Sequence, residues 1–401
     1  MKKIFSIFLI FSIFIIGFLG FVKPIYESIN FADNMYVTAT DIQDANKNSS
    51  FIKYSLNDDL AVGNETSFLT EMDIKLFGWL PIKKVKVKML NDTEVFVGGN
   101  TVGFFLNSEG VTVVGSNPVF TIDGSVEPIK NCNIQNGDTI TKINGKEIKN
   151  IEDIDKILNS ESKELSKVEV EVIRNNTPLT LNISPALDLF SKKYRLGLWV
   201  KNNASGVGTL TYVKKSDNRF GAVGHPISSD SNNEFKVTSG DVYLCNYLGI
   251  EKGTKEKPGE IKTSIKLSDD TIGTADTNCN YGVYGNMFNT SAIDTSRSAT
   301  LGGRMSVEMG DAKIYCDLDG NGVKGYDIKI IKTNHQDKAN EKSIMFKVTD
   351  KELIEKTGGI IQGMSGSPII QNGKLIGAVT HVFLNDPTKA FGVYIDWMID
   401  N

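Results

Sequence analysis

The chain has 401 residues, with 44 Lys and Arg against 48 Asp and Glu, and a formal net charge of -4. This length is enough for two or three domains with buried cores. An apolar fraction of 40% with 23% charged residues is typical of a folded protein and excludes a wholly disordered or collagen-like chain. The near-neutral charge gives no basic face of the kind that binds nucleic acid.

The cysteines lie far apart and form no Cys-x-x-Cys pair. Their spacing therefore indicates neither a zinc site nor a redox motif, and we predict no metal and no cofactor. Spacing alone does not decide whether any of them pair as disulfides. The four are Cys132, Cys245, Cys279 and Cys316.

The N-terminus predicts export from the cytoplasm. After Lys2 and Lys3, residues 4–22 form an apolar run of nineteen residues, which as a helix nearly crosses a hydrocarbon core. No A-x-A cleavage pattern follows, so we predict an uncleaved signal anchor over residues 1–24. By the positive-inside rule the two lysines stay in the cytoplasm, and the rest of the chain is an exported body.

Residues 25–93 are predicted to form a β-rich region next to the membrane. Near its end, at residues 84–89, valines and a methionine alternate with lysines. This period of two is typical of a half-buried strand.

Residues 94–187 change to short strands with one helix. Gly137-Asp138 predicts a tight turn, residues 139–143 a strand and Asn144-Gly145 a hairpin turn, followed by apolar residues at helical spacing in 151–158. This block, G-D-x-I-x-x-I-N-G before an amphipathic helix, resembles a PDZ domain.

The stretch Thr101-Val102-Gly103-Phe104 resembles the carboxylate-binding loop of PDZ domains, with Thr101 where the family often has Gly. Such a loop presents backbone N–H groups to an anion, and the next strand offers an edge to which a peptide adds. The resemblance therefore implies peptide binding by Val102, Gly103 and Phe104. The alternative is a PDZ fold used only for internal packing.

Residues 188–401 carry many short strands separated by turn signals, which favours a barrel or sandwich over a parallel α/β sheet. Within them, Ser365 stands between glycines in Gly363-Met364-Ser365-Gly366-Ser367-Pro368. Glycines let the backbone turn sharply, so the N–H groups of Gly363 and Ser365 can form an oxyanion hole. The stretch resembles the G-D-S-G-G-P motif of chymotrypsin-like serine proteases, with Ser365 as the nucleophile and Met364 replacing the Asp. The alternative is a Gly- and Ser-rich hairpin without catalysis.

Three histidines are candidates for the base that a serine hydroxyl needs. His225 ends an apolar strand in a glycine turn, and it precedes Ser365 in the order His, Asp, Ser of chymotrypsin-like enzymes. His381 is the second candidate and could instead line the substrate pocket. His335 lies in a polar run and is interpreted as a solvated loop residue.

A carboxylate should orient the imidazole of the base. Asp350 ends an alternating strand, and Asp311 and Asp327 stay open as alternatives on the residues alone. Residues 317–322 begin like an EF-hand loop, but the twelfth position is Ile328 and the bidentate Glu is missing. We therefore predict a hairpin turn there.

The order of these features resembles one family, the stage IV sporulation protein B peptidases of endospore-forming bacteria. The stretches GAVGHPI at 221–227 and QGMSGSPIIQNGKLIGAVTHV at 362–382 carry the resemblance, which covers nearly the whole chain after residue 24. It implies catalytic residues at His225, Asp350 and Ser365, and so selects Asp350. The implied fold is mainly β, with a transmembrane anchor, an α+β PDZ domain and a chymotrypsin-like double β-barrel peptidase domain.

The resemblance also implies a physiological role. The family acts in the space between the forespore and mother-cell membranes, where it cleaves a regulator that holds an intramembrane metalloprotease inactive. Pro-sigma-K processing then begins. The family also cleaves itself in its N-terminal region, under control of the PDZ domain. Two other functions stay open, a non-catalytic membrane-tethered PDZ adaptor and a broad quality-control protease of the envelope.

Overall fold

The computed structural model describes residues 33–49, 51–57, 69–90, 93–160, 166–175, 177–227, 237–265, 271–334 and 339–399. The predicted signal anchor and His335 lie outside these residues. No helix within the described ranges is long and apolar enough to cross a membrane. Strands far outnumber helices, so the prediction of a mainly β chain is confirmed.

A small N-terminal module (residues 33–90) combines one helix with a four-stranded sheet of order β1-β4-β3-β2. In β4, Val85 and Val87 are buried while Lys84 and Lys86, which alternate with them, are exposed, and this confirms the strand predicted from the alternation. Thr38 caps the helix with a capping box. The elements are β1 (Asn34–Val37), α1 (Ala39–Asn48), β2 (Ile52–Leu56), β3 (Leu69–Leu76) and β4 (Leu80–Met89).

A second module, here called the middle module (residues 107–201), packs helix α2 against a sheet around buried Ile140, Leu158 and Val170. The predicted turn at Asn144-Gly145 and the predicted helix are both present. The elements from β5 onward are β5 (Glu94–Val97), β6 (Thr101–Ser116), β7 (Val119–Thr121), β8 (Gly124–Val126), β9 (Thr139–Ile143), β10 (Lys146–Glu147), α2 (Ile151–Asn159), β11 (Val168–Arg174), β12 (Thr177–Ile183), β13 (Ala186–Leu187), β14 (Tyr194–Arg195) and β15 (Leu198–Lys214).

Strands β6 and β15 are long, antiparallel and shared between two parts of the molecule. Their halves at Thr112–Ser116 and Leu198–Lys201 belong to the middle module, whereas their other halves belong to a barrel. The middle module is therefore inserted between two barrel strands. This differs from the predicted boundaries at residues 94 and 187, because the alternation of a strand does not specify which sheet the strand joins.

The first barrel is a closed ring of six strands in the order β6, β15, β16, β20, β19 and β17, with β17 pairing back onto β6. Its core includes Phe104, Phe220, Val242 and Val283. The additional strands are β16 (Arg219–Ala222), β17 (Val237–Glu251), β18 (Glu260–Ile265), β19 (Gly273–Cys279) and β20 (Gly282–Met287).

The second barrel closes in the order β22, β23, β24, β27, β26 and β25. The hairpin turn predicted between residues 316 and 326 joins β22 and β23. No three His, Cys, Asp or Glu residues of the described chain are grouped to hold a metal. The elements are β21 (Ser298–Leu301), β22 (Gly310–Cys316), β23 (Lys324–Thr333), β24 (Ile344–Val348), α3 (Lys351–Thr357), β25 (Pro368–Gln371), β26 (Lys374–Phe383) and β27 (Asp386–Tyr394), with 3-10 turns at Thr290–Ala292, Arg304–Ser306 and Ile395–Trp397.

Candidate active site

Ser365 lies on a sharp turn that enters β25 of the second barrel. Gly363 and Gly366 have φ values of +94° and +95°, in the left-handed region that favours glycine. A Cβ on Gly366 would also lie 2.1 Å from the carbonyl oxygen of Thr209. The side chain of Met364 is fully buried in the barrel core, while Ser365 stays half-buried. The turn is thus anchored by Met364 and presents Ser365.

Strand β15 of the first barrel holds this turn from the other side. The Thr209 N–H donates to the Ser365 carbonyl at 2.8 Å. The Thr209 hydroxyl donates to the Gly363 carbonyl and the Thr211 hydroxyl to the Gly366 carbonyl, both at 2.7 Å. Ser365 therefore sits where the two barrels meet, and its backbone is fixed by both of them.

Two amides of the turn are free to bind an anion. The N–H groups of Met364, Gly366 and Ser367 each donate to a backbone carbonyl. Those of Gly363 and Ser365 donate to no acceptor among the described residues. These are the two donors predicted for an oxyanion hole, and they flank the Ser365 side chain.

His225 follows β16 and lies next to the Ser365 turn. Gly366 packs against the backbone of Val223, and Gly224 packs against Thr380, the residue whose carbonyl accepts the Ser365 hydroxyl at 3.0 Å. The sequence prediction that His225 ends a strand in a glycine turn matches this geometry. The structure thus brings together the loops that carry His225 and Ser365.

The imidazole of His225 has a defined tautomer. Its Nδ1 lies 3.0 Å from the carbonyl oxygen of Pro226. Because a carbonyl only accepts, Nδ1 carries the hydrogen and Nε2 is left with a free lone pair, as a general base requires. The Ser365 hydroxyl points to Thr380 in this conformation, so rotation about χ1 is needed to bring it to Nε2.

His381 lies beside His225, with ring centroids 5.7 Å apart. Its Nε2 is 3.8 Å from Oε1 of Glu341. Burial lowers the pKa of His381; Glu341 opposes this shift and His225 adds to it. Burial therefore favours the neutral form of His381 beside His225.

Asp350 is not in contact with His225, and this corrects the prediction that it orients the imidazole. Its Oδ1 accepts from the Leu353 N–H at 3.0 Å, which caps helix α3, and its Oδ2 accepts from the Asp327 N–H at 3.3 Å. Both oxygens are therefore used in local backbone contacts.

The two alternatives do not take its place. Asp327 pairs with Lys313, and Asp311 lies opposite Lys329 in the β22–β23 hairpin. No carboxylate of the described chain lies within 4 Å of a His225 ring nitrogen. The backbone carbonyl of Pro226 is the group that orients His225, and no sequence pattern identifies a carbonyl in advance.

The segment predicted to bind peptide carboxylates lies in the first barrel. Val102 and Phe104 are fully buried in its core, and the backbone of 102–106 pairs with β15 on one side and β17 on the other. Gly103 packs against Ile265. A peptide strand needs a free edge, so this assignment is corrected: residues 102–104 have none.

The middle module offers another edge. A groove of about 320 Å³ lies between α2 and the start of β15, lined by Ile154, Leu158, Leu198 and Val200. Residues 198–201 pair with β6 on one side and with no strand of the described chain on the other. A peptide can add as a strand there.

Comparisons with known proteins identify two families along the chain. The sequence profile of the family described as SpoIVB peptidase S55 matches residues 192–399, and that of the PDZ domain matches residues 101–184. Among solved structures, the PDZ domain of an SdrC-like protein from Listeria monocytogenes is 20% identical, over 23% of this chain and 87% of that chain, with a TM-score of 0.19. That score is too low to support a conclusion about this chain. No protein with a curated description matches.

Proposed function

Because this chain belongs to the SpoIVB peptidase S55 family, and is therefore a serine peptidase with a PDZ domain, we propose that Ser365 is its nucleophile and His225 its general base. The observation that carries this proposal is the Ser365 turn. It presents Ser365 together with two free amides, its own and that of Gly363, and it is bound by β15, which pairs with β16, the strand before His225.

The proposed reaction is acyl transfer. The Ser365 hydroxyl rotates from the Thr380 carbonyl to Nε2 of His225, which takes its proton as Oγ attacks the scissile carbonyl. The Gly363 and Ser365 amides bind the resulting oxyanion, each contributing about 10²- to 10³-fold in rate. His225 then gives the proton to the leaving amine, and water hydrolyses the acyl-enzyme. The Pro226 carbonyl holds the Nδ1 hydrogen throughout.

The two six-stranded rings support a chymotrypsin-like arrangement for the peptidase part, with the site at the junction of the barrels. The groove between α2 and β15 supports a role for the middle module in binding an extended peptide. Neither feature depends on a metal or a cofactor.

The physiological role is proposed from the family. The chain would be a sporulation signalling endopeptidase, anchored by residues 4–22 and exported into the space between forespore and mother-cell membranes. There it would cleave itself and a membrane regulator of an intramembrane metalloprotease, so that pro-sigma-K processing begins. The groove of the middle module would bind the peptide segments that control these cleavages.

The test uses the purified full chain in detergent, as wild type, Ser365→Ala and Ser367→Ala, treated with a fluorophosphonate and analysed by intact mass. Ser367 is a matched control because it lies in the same turn but its side chain is fully buried. We expect labelling and self-cleavage in the wild type and in Ser367→Ala, and neither in Ser365→Ala.

Two outcomes would contradict the proposed chemistry, and a third would contradict the signalling role. Labelling that persists in Ser365→Ala would assign the nucleophile elsewhere. Absence of both labelling and peptide hydrolysis in all three well-folded proteins would favour a PDZ adaptor. Cleavage of unfolded casein at many sites would favour a broad quality-control protease over a signalling role.

A further inference from the structure

The hairpin between β3 and β4 ends in exposed apolar side chains, and Phe51, which precedes β2, lies beside them. These four residues form what we call the aromatic tip, with exposed fractions of 43% for Phe51, 49% for Phe77, 73% for Trp79 and 43% for Leu80. The core of this sheet is formed instead by residues farther from the turn, among them Met72, Ile74 and Val85. The tip is therefore not needed to fill that core.

The tip has a fixed shape. Phe77 has a φ of +54°, which is unusual for an aromatic residue, and is followed by Gly78 at +79°. The Phe77 N–H donates to the Phe51 carbonyl at 2.6 Å, and the two rings meet edge to face with centroids 5.9 Å apart. The backbone thus fixes both rings at the surface of the protein. Apolar side chains that an unusual backbone conformation holds in exposed positions indicate a binding role.

Lysines lie near the tip. Residues 69–90 contain five lysines and two acidic residues, and Lys53 packs against Gly78 of the turn. Lys84, Lys83 and Lys75 lie on the strands that lead to the turn. Each also lies within 3.4 Å of a carboxylate, that of Glu71, Asp33 and Asp73 respectively. Aromatic side chains with lysines nearby are typical of protein segments that bind at a membrane interface.

The incoming chain enters the sheet at the same end as the tip. Strand β1 runs parallel to β4, with Asn34 opposite Lys86 and Val37 opposite Met89. The Asp33 carboxylate lies 2.8 Å from the Lys83 ammonium group. Lys83 follows Leu80 by three residues, which is about 10 Å along the strand. The chain before residue 33 therefore leaves the sheet on the side of the tip.

The distance to a membrane is short. If residues 4–22 span the bilayer, only residues 23–32 separate it from the sheet. Ten residues reach at most about 35 Å. The tip is thus kept near the surface of the membrane that the anchor crosses.

We propose that the aromatic tip inserts into the interface of an anionic phospholipid membrane, with Trp79, Phe77 and Leu80 among the upper acyl chains and the nearby lysines at the phosphates. The inference rests on the anchor of the proposed function and not on the peptidase chemistry. It fixes how the N-terminal module, and the barrel bound to it, face the membrane.

The test uses the full chain reconstituted into phosphatidylglycerol vesicles that contain lipids brominated on the acyl chain, which quench nearby tryptophans. The chain has three tryptophans. Trp199 is a matched control because it is 61% exposed but belongs to the middle module. Trp397 is kept in all proteins. We expect bromolipid quenching in the wild type and in Trp199→Phe, and its loss in Trp79→Phe.

Quenching that survives in Trp79→Phe, or is absent from the wild type, would overturn the proposal. Concentration-dependent shielding of Trp79 from acrylamide without bromolipid quenching would also overturn it, in favour of a second copy of the chain. Equal quenching in neutral phosphatidylcholine would overturn the role given to the lysines.

Flotation and labelling experiments distinguish a failure of the proposed function from a failure of the membrane-insertion proposal. A chain that does not float with the vesicles after an alkaline wash lacks the anchor, whatever the tip does. Fluorophosphonate labelling of Ser365 should be unchanged in Trp79→Phe, because Trp79 belongs to the N-terminal module whereas Ser365 belongs to the second barrel. Loss of Ser365 labelling in all proteins would contradict the peptidase mechanism but would not change the conclusion from bromolipid quenching.

Discussion

His225 and His381 lie side by side near Ser365, but their surroundings differ. Nδ1 of His225 faces the Pro226 carbonyl, so its Nε2 can accept a proton. Nδ1 of His381 is buried without a hydrogen-bond partner among the described residues, and its Nε2 faces Glu341. The geometry thus favours His225 as the base and gives His381 a place in the wall of the site.

Exchange of each histidine for glutamine should separate these roles. His225→Gln should slow fluorophosphonate labelling of Ser365 by about 10²- to 10⁴-fold, because it removes the general base. His381→Gln should slow labelling by less than about tenfold, because no proton passes through it. The measurement is the second-order rate of labelling, and a larger loss in His381→Gln would reverse the assignment.

The helix-capping role of Asp350 leads to a second prediction about a single residue. Asparagine keeps one oxygen to cap the helix but loses the acceptor for the Asp327 N–H, so Asp350→Asn should keep its activity and lose less stability than Asp350→Ala, which should lose about 1 kcal/mol. Thermal unfolding and peptide hydrolysis check this. A folded Asp350→Asn protein with activity reduced about 10⁴-fold, as for a triad acid, would place Asp350 in the catalytic machinery.

At the scale of elements, β15 connects three features. Its start forms the edge of the groove beside α2, its middle pairs with β6, and its end holds the Ser365 turn through Thr209 and Thr211. One strand thus fixes the position of the proposed oxyanion hole and also offers the peptide edge.

Thr209 tests the importance of that support. Thr209→Val keeps the shape of the side chain but loses the hydroxyl that donates to the Gly363 carbonyl, so the turn should shift and kcat/KM fall by about tenfold or more. Thr209→Ser keeps the hydroxyl and should retain most of the activity. Equal activity in the two variants would mean that the backbone bond from Thr209 is sufficient to hold the turn.

At the scale of the molecule, buried charges join the N-terminal module to the second barrel. Arg304 donates to Asp396 at 2.7 Å and to the Asn34 carbonyl at 2.6 Å, and Lys374 lies 2.8 Å from Asp41. Arg304, Asp396 and Asp41 are all nearly inaccessible to solvent. The module that would face the membrane is therefore bound to the peptidase part by the Lys374–Asp41 ion pair and by the hydrogen bond from the buried Arg304 to the Asn34 carbonyl.

Removal of Arg304 leaves a buried carboxylate without its partner. Arg304→Met should therefore destabilise the protein by about 3–5 kcal/mol at pH 8. The exposed pair of Lys215 and Glu94 is the control, because loss of such a surface pair costs at most about 1 kcal/mol. Urea unfolding of Arg304→Met and Lys215→Met gives the comparison, and equal losses would contradict a structural role for the buried pair.

The effect of Arg304→Met should depend on pH. Burial raises the pKa of Asp396 from 3.8 to about 6, although Arg304 opposes this shift. Because the folded state binds this proton more tightly than the unfolded state, the contribution of Asp396 to stability is full below about pH 4 and is lost as pH rises through 6. Without Arg304 this pKa rises further, so the variant should be less destabilised at pH 5 than at pH 8. A constant difference would contradict this.

The sequence by itself determined the features that depend on neighbours along the chain. The alternation in β4, the helical spacing in α2, the Asn-Gly turns and the glycines around Ser365 are local patterns, and each is fixed by strand or helix period or by turn chemistry. The family motifs at 221–227 and 362–382 are likewise continuous stretches.

Only the tertiary structure decided which strands pair and which groups meet. It placed 102–104 between β15 and β17, moved the free edge to 198–201, and brought the Ser365 turn against Thr209 and the loop before His225. These contacts join residues that are far apart along the chain. The spacing of apolar residues in a strand or helix shows which face a side chain occupies, but it does not show which other element packs against that face.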